Sequence, residues 1–225
     1  MKRASSKRID LSIALVTGFA PFGGETINPS LEIARTLDGE LIAGHRVVGA
    51  ELPSEFAQSL PVLDALIDKH HPAIVIALGQ AGGRAGISLE RVAINLMDAR
   101  IADNAGEQPI DAPVLASAPN AYFSTLPVKA ALARLRTAGI PAALSQSAGT
   151  FICNQVFFGL LHRLTTQHAK ARGGFIHVPY LPEQAARFVD TPSMALETMV
   201  KAIRLSLEIA LTTHADVHYA AGTTH

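Results

Sequence analysis

The chain has 225 residues, 48% of them hydrophobic and 17% charged, which is an ordinary globular composition and enough chain for one sizeable core. Its 19 Lys and Arg residues balance 19 Asp and Glu residues, so no basic bias points to nucleic acid or an anionic membrane as a partner. A single cysteine excludes an intramolecular disulfide, and the apolar run at 13–16 is too short for a signal peptide or membrane span, so we expect a soluble cytoplasmic protein.

Short apolar runs alternate with amphipathic stretches along the whole chain, which is the pattern of an α/β protein. Prolines that follow Asn28 and Thr191 mark helix starts, and these two residues are suitable caps. Alternating strands and helices predict a sheet that helices cover on both faces. In chain order we predict a strand at 12–17, a helix at 29–37, a strand at 46–51, a helix at 55–70, strands at 73–78 and 87–96, a helix at 127–138, a strand at 142–146, a helix at 153–170, a strand at 174–178 and a helix at 192–213.

Two segments depart from this regular alternation. Apolar and polar residues alternate strictly over 87–96, and no helix separates this run from the strand before it, so we interpret it as an antiparallel or edge-proximal strand of a mixed sheet. The segment 97–126 has no periodicity, and a loop of that length is usually functional or packs on another subunit. No linker divides the chain, so we expect one domain over 1–225, with 1–9 and 215–225 poorly ordered.

Cys153 lies between a small-residue segment at 147–150 and the amphipathic helix predicted at 153–170. A thiol at the start of a helix lies at the positive end of the helix dipole, which favours the nucleophilic thiolate. Thr150 is a suitable cap for this helix. Cys153 is therefore a candidate catalytic nucleophile, and the alternative is a small buried hydrophobic residue.

His177 is the candidate base for this nucleophile, because a catalytic cysteine usually needs an imidazole. It lies inside the apolar, strand-like run at 174–178, whereas the other histidines lie in polar or helical surroundings. The alternative is a core histidine whose ring nitrogens have hydrogen-bond partners.

Glu90 is the candidate third group, which would orient the imidazole and stabilise its charged form. The alternation in 87–96 places Glu90 on an apolar face, where a carboxylate is costly unless it is paired. A structural ion pair with Arg91 or Arg100 is the alternative. Together the three residues predict a Cys-His-Glu hydrolase, and the residue pattern leaves the substrate open.

Four long motifs closely resemble those of the pyroglutamyl-peptidase I family, or pyrrolidone-carboxylate peptidases, over nearly the whole chain after residue 9. They are TGFAPFGG at 17–24 with NPS at 28–30, GQAGGR at 79–84 with LERVAIN at 89–95, SAGTFICN at 147–154 and IHVPYLP at 176–182. The resemblance implies a cysteine exopeptidase that removes an N-terminal pyroglutamate from peptides. It also implies a single-domain, three-layer α/β/α sandwich with a mixed twisted sheet, a homotetramer, and no metal or organic cofactor.

The resemblance also assigns roles to residues of this chain. It implies Cys153 as nucleophile, His177 as general base and Glu90 as orienting acid, the same three residues that the pattern isolates. It further implies a substrate pocket walled by Phe19 and Phe22, which as phenylalanines could equally be core residues. The other positions that match residues lining or supporting this pocket are Asn28, Gln80, Arg100, Ile101 and Phe151.

A few positions depart from the family pattern and leave the three candidate catalytic residues unchanged. Ala20 stands where an acidic residue is frequent, and Ala102 stands where proline is usual. The pair at 96–97 replaces a more polar one. These changes bear on loop rigidity, subunit packing and rate more than on the reaction type.

Other functions fit the sequence less well. Residues 151–155 lack the glycines of a G-x-C-x-G elbow and do not resemble a papain-type C-G-S-C-W stretch. The glycines of 79–86 match neither phosphate-binding motif, G-x-x-x-x-G-K-[ST] or G-x-G-x-x-G. The alternative we retain is a catalytically weak or inactive homologue that binds a small molecule on the same fold. We expect pyroglutamyl peptides as partners, and neither nucleic acid nor a membrane.

Overall fold

The computed structural model describes residues 11–167 and 170–222. The predicted N-terminal extension at 1–9 and the last three residues of the predicted tail lie outside the described residues. In chain order the elements are β1 (Ile13–Phe19), α1 (Pro29–Leu37), β2 (Leu41–Ile42), β3 (His45–Leu52), α2 (Phe56–His70), β4 (Ile74–Gln80), β5 (Ile87–Glu90), β6 (Val92–Ile94), β7 (Ala121–Phe123), α3 (Val128–Thr137), β8 (Ala142–Ser145), α4 (Ile152–Thr166), β9 (Arg172–Val178), α5 (Pro182–Ala185) and α6 (Leu196–Thr212).

A seven-stranded sheet with the order β2-β3-β1-β4-β9-β5-β8 forms the centre of the protein. The neighbours β3, β1, β4 and β9 are parallel, whereas β5 is antiparallel to β9 and parallel to β8. The sheet is therefore mixed, and β5 is antiparallel to a neighbour and lies one strand from the edge, as the sequence predicts.

Helices cover both faces of this sheet, which confirms the predicted three-layer α/β/α arrangement. Side chains alternate between the faces along each strand. On β1, β4 and β9, even-numbered residues such as Ile76 and Ile176 pack in one apolar cluster with α1, α3 and α6. Odd-numbered residues such as Val75 and Phe175 pack in a second cluster with α2 and α4. The sheet thus separates two cores, and the second contains the partly buried Cys153.

The predicted strand at 87–96 is interrupted at Arg91. The Arg91 amide donates to the Ser145 carbonyl at the end of the main sheet (2.9 Å), and the Ser124 amide donates to the Arg91 carbonyl (2.9 Å). Beyond this point β6 leaves the main sheet and pairs with β7 in a separate two-stranded sheet. The expectation that Glu90 continues the apolar face of the following residues is therefore wrong, because the alternation spans two different sheets.

The predicted helix cap is correct at Asn28 and wrong at Thr191 and Thr150. The Asn28 side chain accepts from the Ser30 amide at the start of α1 (3.1 Å). The predicted cap Thr191 lies before a segment that bridges to Tyr180, so α6 begins only at Leu196. Thr150 does not cap α4, because its hydroxyl donates to the Asp98 carbonyl (2.7 Å).

The long segment at 97–126 is mostly irregular and includes β7. Its best-anchored residue is Asp103, whose buried carboxylate accepts from the Phe56 amide at the start of α2 (2.7 Å) and from the amides of Ala105 and Glu107 (2.9 and 2.8 Å). These bonds hold the middle of the segment against the start of α2. A functional or subunit-contact role for the segment stays a prediction.

The sequence predicts poor order in the tail, and the described part of this tail contacts α3. The Asp216 carboxylate accepts from the amides of Lys129 and Ala130 in the first turn of α3 (3.0 and 2.9 Å). The Lys129 ammonium donates to the Tyr219 carbonyl (2.6 Å), and the Tyr219 hydroxyl donates to the Lys129 carbonyl (2.9 Å). The tail therefore supplies the polar partners that α3 lacks at its N-terminus.

Candidate active site

The register of the sheet places His177 and Glu90 on the same face. Ser88 lies opposite His177 in the antiparallel pair of β5 and β9, and directly opposite residues point to the same side. Glu90 lies two residues beyond Ser88 and so points to that side as well. The His177 Nδ1 and Glu90 Oε1 atoms are 2.8 Å apart, and both side chains are buried.

Cys153 approaches the same face through Gly79. This glycine lies opposite His177 in the parallel pair of β4 and β9, on strands about 4.8 Å apart. A side-chain carbon at position 79 would lie 2.9 Å from the Cys153 sulfur and 2.7 Å from the Phe175 ring. Glycine is required at this point because the sulfur occupies the space of a side chain directly beside His177. The structure thus brings together all three predicted catalytic residues.

The first turn of α4 is fixed on both sides of the sulfur. The Asn154 side chain accepts from the Ile94 amide (3.0 Å) and donates to the carbonyls of Ile94 and Leu96 (2.8 and 2.9 Å). The Gln155 side chain donates to the Phe56 carbonyl (2.8 Å). Below them, the apolar stripe of α4 is buried in the second core. These bonds connect Cys153 to β6 and to α2.

Burial sets the protonation of the sulfur and the imidazole. It lowers the pKa of His177 below its usual 6.5, against the opposing effects of the hydrogen bond to Glu90 and of the Glu90 charge. It raises the pKa of Cys153 to about 12, an effect that the Glu90 charge increases and that Arg84 and a backbone hydrogen bond oppose. Burial therefore opposes the stabilisation of the thiolate that the helix start is expected to provide. The resting pair is a thiol beside a neutral imidazole.

Arg84 is a charged neighbour of the site that the sequence does not predict. Its Nη1 lies 2.7 Å from Glu90 Oε1, and its Nη2 donates to the Ser147 carbonyl (3.3 Å). Glu90 therefore pairs with Arg84 and not with Arg91 or Arg100, the partners named in the alternative interpretation. Arg84 ends the glycine-rich GQAGGR motif, a loop whose lack of periodicity gives no indication of where its last side chain points.

A small cavity adjoins the sulfur. It has a volume of about 20 Å³, about the space of one water molecule, so a ring-sized ligand enters only if the walls move apart. Two of its aromatic walls, Phe22 and Phe151, have ring centroids 6.2 Å apart, and Phe151 also packs edge-on against Phe56 outside the cavity lining, at 5.1 Å. The residues that line the cavity are Phe19, Phe22, Asn28, Ser54, Gln80, Phe151, Ile152 and Cys153.

Five of the seven predicted pocket residues therefore line the cavity, and Arg100 and Ile101 do not. Ala99 is buried and its amide donates to the Pro109 carbonyl (2.8 Å), and both residues after it are exposed. The sequence misses Ser54, which lies just beyond the end of β3 and donates to the Ala20 carbonyl (2.7 Å). It also misses Ile152, which looks like any other apolar residue at a helix start.

The orientation of the Gln80 amide follows from that of Gln184. The Gln184 Oε1 accepts from the Leu181 amide (3.0 Å), so its Nε2 is the atom that donates to Gln80 Oε1 (2.9 Å). Because Gln80 uses its oxygen in this bond, its NH₂ group is the end that can donate to a ligand. The cavity therefore offers a hydrogen-bond donor among aromatic walls.

Two further classes of site can be considered within residues 11–167 and 170–222. In this part of the chain, no group of three or more His, Cys, Asp or Glu side chains is arranged to hold a metal ion. Nor does any helix in the same ranges have the length and apolar character needed to cross a membrane.

Comparisons with known proteins place the chain in one family. The model of the pyroglutamyl peptidase family matches residues 12–213. The pyrrolidone-carboxylate peptidase of Cupriavidus taiwanensis is 56% identical over 212 residues, which cover 94% of this chain and 98% of the relative. The enzyme of the same name from Escherichia fergusonii is 53% identical over 215 residues, 96% of this chain and 100% of the relative.

Solved structures agree with these relatives. The crystal structure of pyroglutamyl peptidase I from Bacillus amyloliquefaciens superimposes with a TM-score of 0.91 at 43% identity, covering 93% of this chain and 100% of that one. A mutant pyrrolidone carboxyl peptidase from Pyrococcus furiosus gives 0.86 at 44% identity, covering 88% and 98%. The chain therefore belongs to the pyroglutamyl peptidase family, whose members are cysteine hydrolases.

Proposed function

We propose that this protein is a cysteine exopeptidase that hydrolyses the bond after an N-terminal pyroglutamyl residue, with Cys153, His177 and Glu90 as its catalytic triad. The observation that carries this function is the placement of a thiol beside Gly79, the residue opposite His177, and of a buried carboxylate in contact with that imidazole, next to an aromatic cavity. Family membership supports the same reaction.

The protonation of the site supports general-base activation of the thiol. The Glu90 carboxylate accepts a hydrogen bond from Nδ1 of His177, so Nδ1 carries the ring proton and Nε2 can accept one. The Cys153 proton moves to Nε2 as sulfur attacks the pyroglutamyl carbonyl. The imidazolium then protonates the leaving amine, which releases the shortened peptide and leaves a thioester. Water hydrolyses the thioester with His177 again as base, and backbone amides at the start of α4 stabilise the oxyanion.

The cavity supports a neutral lactam as the group that enters it. Phe19, Phe22 and Phe151 offer flat apolar walls to the ring, and the Gln80 amide offers a donor to the lactam carbonyl. None of its lining residues is Asp or Glu, so a charged amino terminus would find no carboxylate there. This composition favours pyroglutamyl over ordinary aminoacyl substrates.

Release of arylamine from a pyroglutamyl-arylamide tests the function, with an alanyl-arylamide as the comparison substrate. We expect wild-type protein to hydrolyse the first and not the second. Cys153→Ala and His177→Ala should each abolish nearly all turnover while the circular dichroism spectrum stays unchanged. Turnover by Cys153→Ala would exclude the covalent mechanism, and a wild-type protein that binds pyroglutamate without turnover would be the inactive homologue considered as the alternative.

A homotetramer and a cytoplasmic location follow from the family resemblance and stay predictions. Light scattering of the purified protein measures the first. We expect a mass four times that of the 23.7 kDa chain. A monomeric mass at assay concentration, with full activity, would contradict this assembly.

A further inference from the structure

Arg84 contacts the candidate triad and has no part in the mechanism above. Building on the proposed function, we infer that Arg84 is a positioning residue that acts through Glu90: it holds the Glu90 carboxylate against His177 and balances its buried charge. The contacts that carry this role are the Arg84 Nη1 to Glu90 Oε1 distance of 2.7 Å and the Glu90 Oε1 to His177 Nδ1 distance of 2.8 Å.

The Glu90 carboxylate needs a counter-charge in its buried position. The carboxylate is fully buried, its Oε1 meets both partners, and its Oε2 has no hydrogen-bond partner among the residues that the structure describes. A buried carboxylate without a counter-charge is strongly disfavoured in its ionised form. A neutral imidazole cannot supply that charge, so in the resting state it comes from the Arg84 guanidinium.

The loop that carries Arg84 is anchored beside β9. Its loop is tied to β9 by the Ala81 amide, which donates to the Val178 carbonyl (2.9 Å), and by Gly82, where a side-chain carbon would lie 2.3 Å from the Tyr180 ring. The loop is therefore held directly beside the strand that carries His177. These contacts fix the backbone from which the Arg84 side chain reaches Glu90.

The Arg84 guanidinium also makes a contact outside the triad. Its Nη2 donates to the Ser147 carbonyl (3.3 Å), at the start of the segment that leads into α4 and Cys153. The planar fork of arginine can serve two acceptors at once, whereas a lysine ammonium is a single point charge on a flexible stem. Arg84 thus connects the carboxylate of the triad to the segment that precedes its sulfur.

Charge at this position also sets the titration of the site. The charged groups that act on both His177 and Cys153 are Glu90 from β5 and Arg84 from its loop. Arg84 lowers the pKa of both residues. Its removal therefore raises the pKa of His177, so the imidazole becomes protonated, and activity is lost, at a higher pH than in the wild type.

The experiment measures kcat/KM for a pyroglutamyl-arylamide as a function of pH in the wild type, Arg84→Gln, Arg84→Lys, Glu90→Gln and the double variant of Arg84→Gln with Glu90→Gln. Arg84→Gln should lower kcat/KM about tenfold at neutral pH and move the acid limb up by roughly one pH unit. Arg84→Lys, which keeps the charge, should leave the limb near its wild-type position. In a Glu90→Gln background, Arg84→Gln should cost less than about threefold, because the group through which it acts is gone.

Arg204→Gln is the matched control, since it also removes a guanidinium from an ion pair, in this case with Glu40 on the surface. It should leave both kcat/KM at neutral pH and the position of the acid limb unchanged. An unmoved acid limb in Arg84→Gln, or full additivity with Glu90→Gln, would overturn the role of Arg84. If Arg84→Gln does not fold, an acid limb shifted by a whole unit in Arg84→Lys overturns it as well. Absence of turnover in the wild type overturns the proposed function and this role together, whereas active wild type with an unshifted variant overturns this role alone.

Discussion

His177 is a buried base whose protonation decides when the site is active. Desolvation of the imidazole outweighs the effect of Glu90, so the pKa of His177 lies below 6.5. The mechanism needs the neutral ring, which exists above this pKa. A lowered pKa therefore extends activity toward acid, and activity disappears only as pH falls through the shifted value.

We predict that the acid limb of kcat/KM for a pyroglutamyl-arylamide lies below pH 6.5. Because kcat/KM reports ionisations of the free enzyme, the limb follows His177 and not the substrate, which has no titratable amine. Initial rates at low substrate concentration, from about pH 4 to pH 8, measure it. A limb centred above pH 6.5 would show that the Glu90 charge dominates over burial.

Gln80 presents a donor to the cavity because Gln184 uses its oxygen. Gln80→Glu keeps that oxygen for Gln184 and removes the NH₂ group, so the lactam carbonyl loses its partner. We predict a fall of about tenfold in kcat/KM for the pyroglutamyl substrate. The exposed residue Gln58 on α2 provides the control, since Gln58→Glu makes the same chemical change outside the cavity. Equal kinetics in both variants would mean that Gln80 does not bind the lactam.

At the scale of elements, the sequence predicts the strands and helices well because their periodicity reflects burial on one or two faces. Every predicted element has a counterpart, and those it misses, β2, β7 and α5, have only two to four residues. The break at Arg91 is missed for a different reason. Alternation continues through β5 and β6, and only the partners of each strand, Ser145 and Phe123 among them, show that they belong to two sheets.

The candidate site follows the same logic. Cys153, His177 and Glu90 stand out because each interrupts a pattern: a thiol at a helix start, an imidazole in an apolar strand, and a carboxylate among apolar residues. Arg84 interrupts nothing, since it lies in a glycine-rich loop whose course depends on tertiary contacts. Ser54 is missed likewise, because only the folded chain brings the end of β3 to the cavity.

The contact between β4 and α4 depends on Gly79. In Gly79→Ala the new methyl group would meet both the Cys153 sulfur and the Phe175 ring, so the first turn of α4 must shift away from His177. We predict a loss of kcat/KM on the order of a hundredfold, because small displacements of reacting groups are that costly. Steady-state kinetics measure the loss, and thermal unfolding measures the accompanying change in stability.

Gly159→Ala is the matched control for that change. Gly159 lies on α4, the helix that carries Cys153, and the three atoms nearest its new methyl group would all belong to the flexible side chain of Leu60. It should alter stability while kcat/KM stays close to that of the wild type. If Gly79→Ala retained full activity, the close approach of Cys153 to β4 would not be needed for catalysis.

At the scale of the whole molecule, the sheet separates the core that holds the candidate site from the core on its opposite face. The candidate site lies on the face covered by α2 and α4, whereas α1, α3 and α6 build the other core. Substitutions on well-separated parts of a domain act independently. The tail adjoins the core built by α1, α3 and α6, because Asp216 and Tyr219 both bind the first turn of α3. Changes in the tail should therefore alter folding without altering the reaction.

Asp216→Ala tests this separation. The variant leaves the amides of Lys129 and Ala130 without their shared acceptor, so we predict that the free energy of unfolding falls by about 1 kcal/mol, as for the loss of a helix cap. Urea unfolding followed by circular dichroism measures the change, with the exposed Glu208→Ala on α6 as a control for the lost charge. We expect kcat/KM of Asp216→Ala to match the wild type. A large kinetic effect at unchanged stability would mean that the tail communicates with the site across the sheet, and that the two cores are not independent.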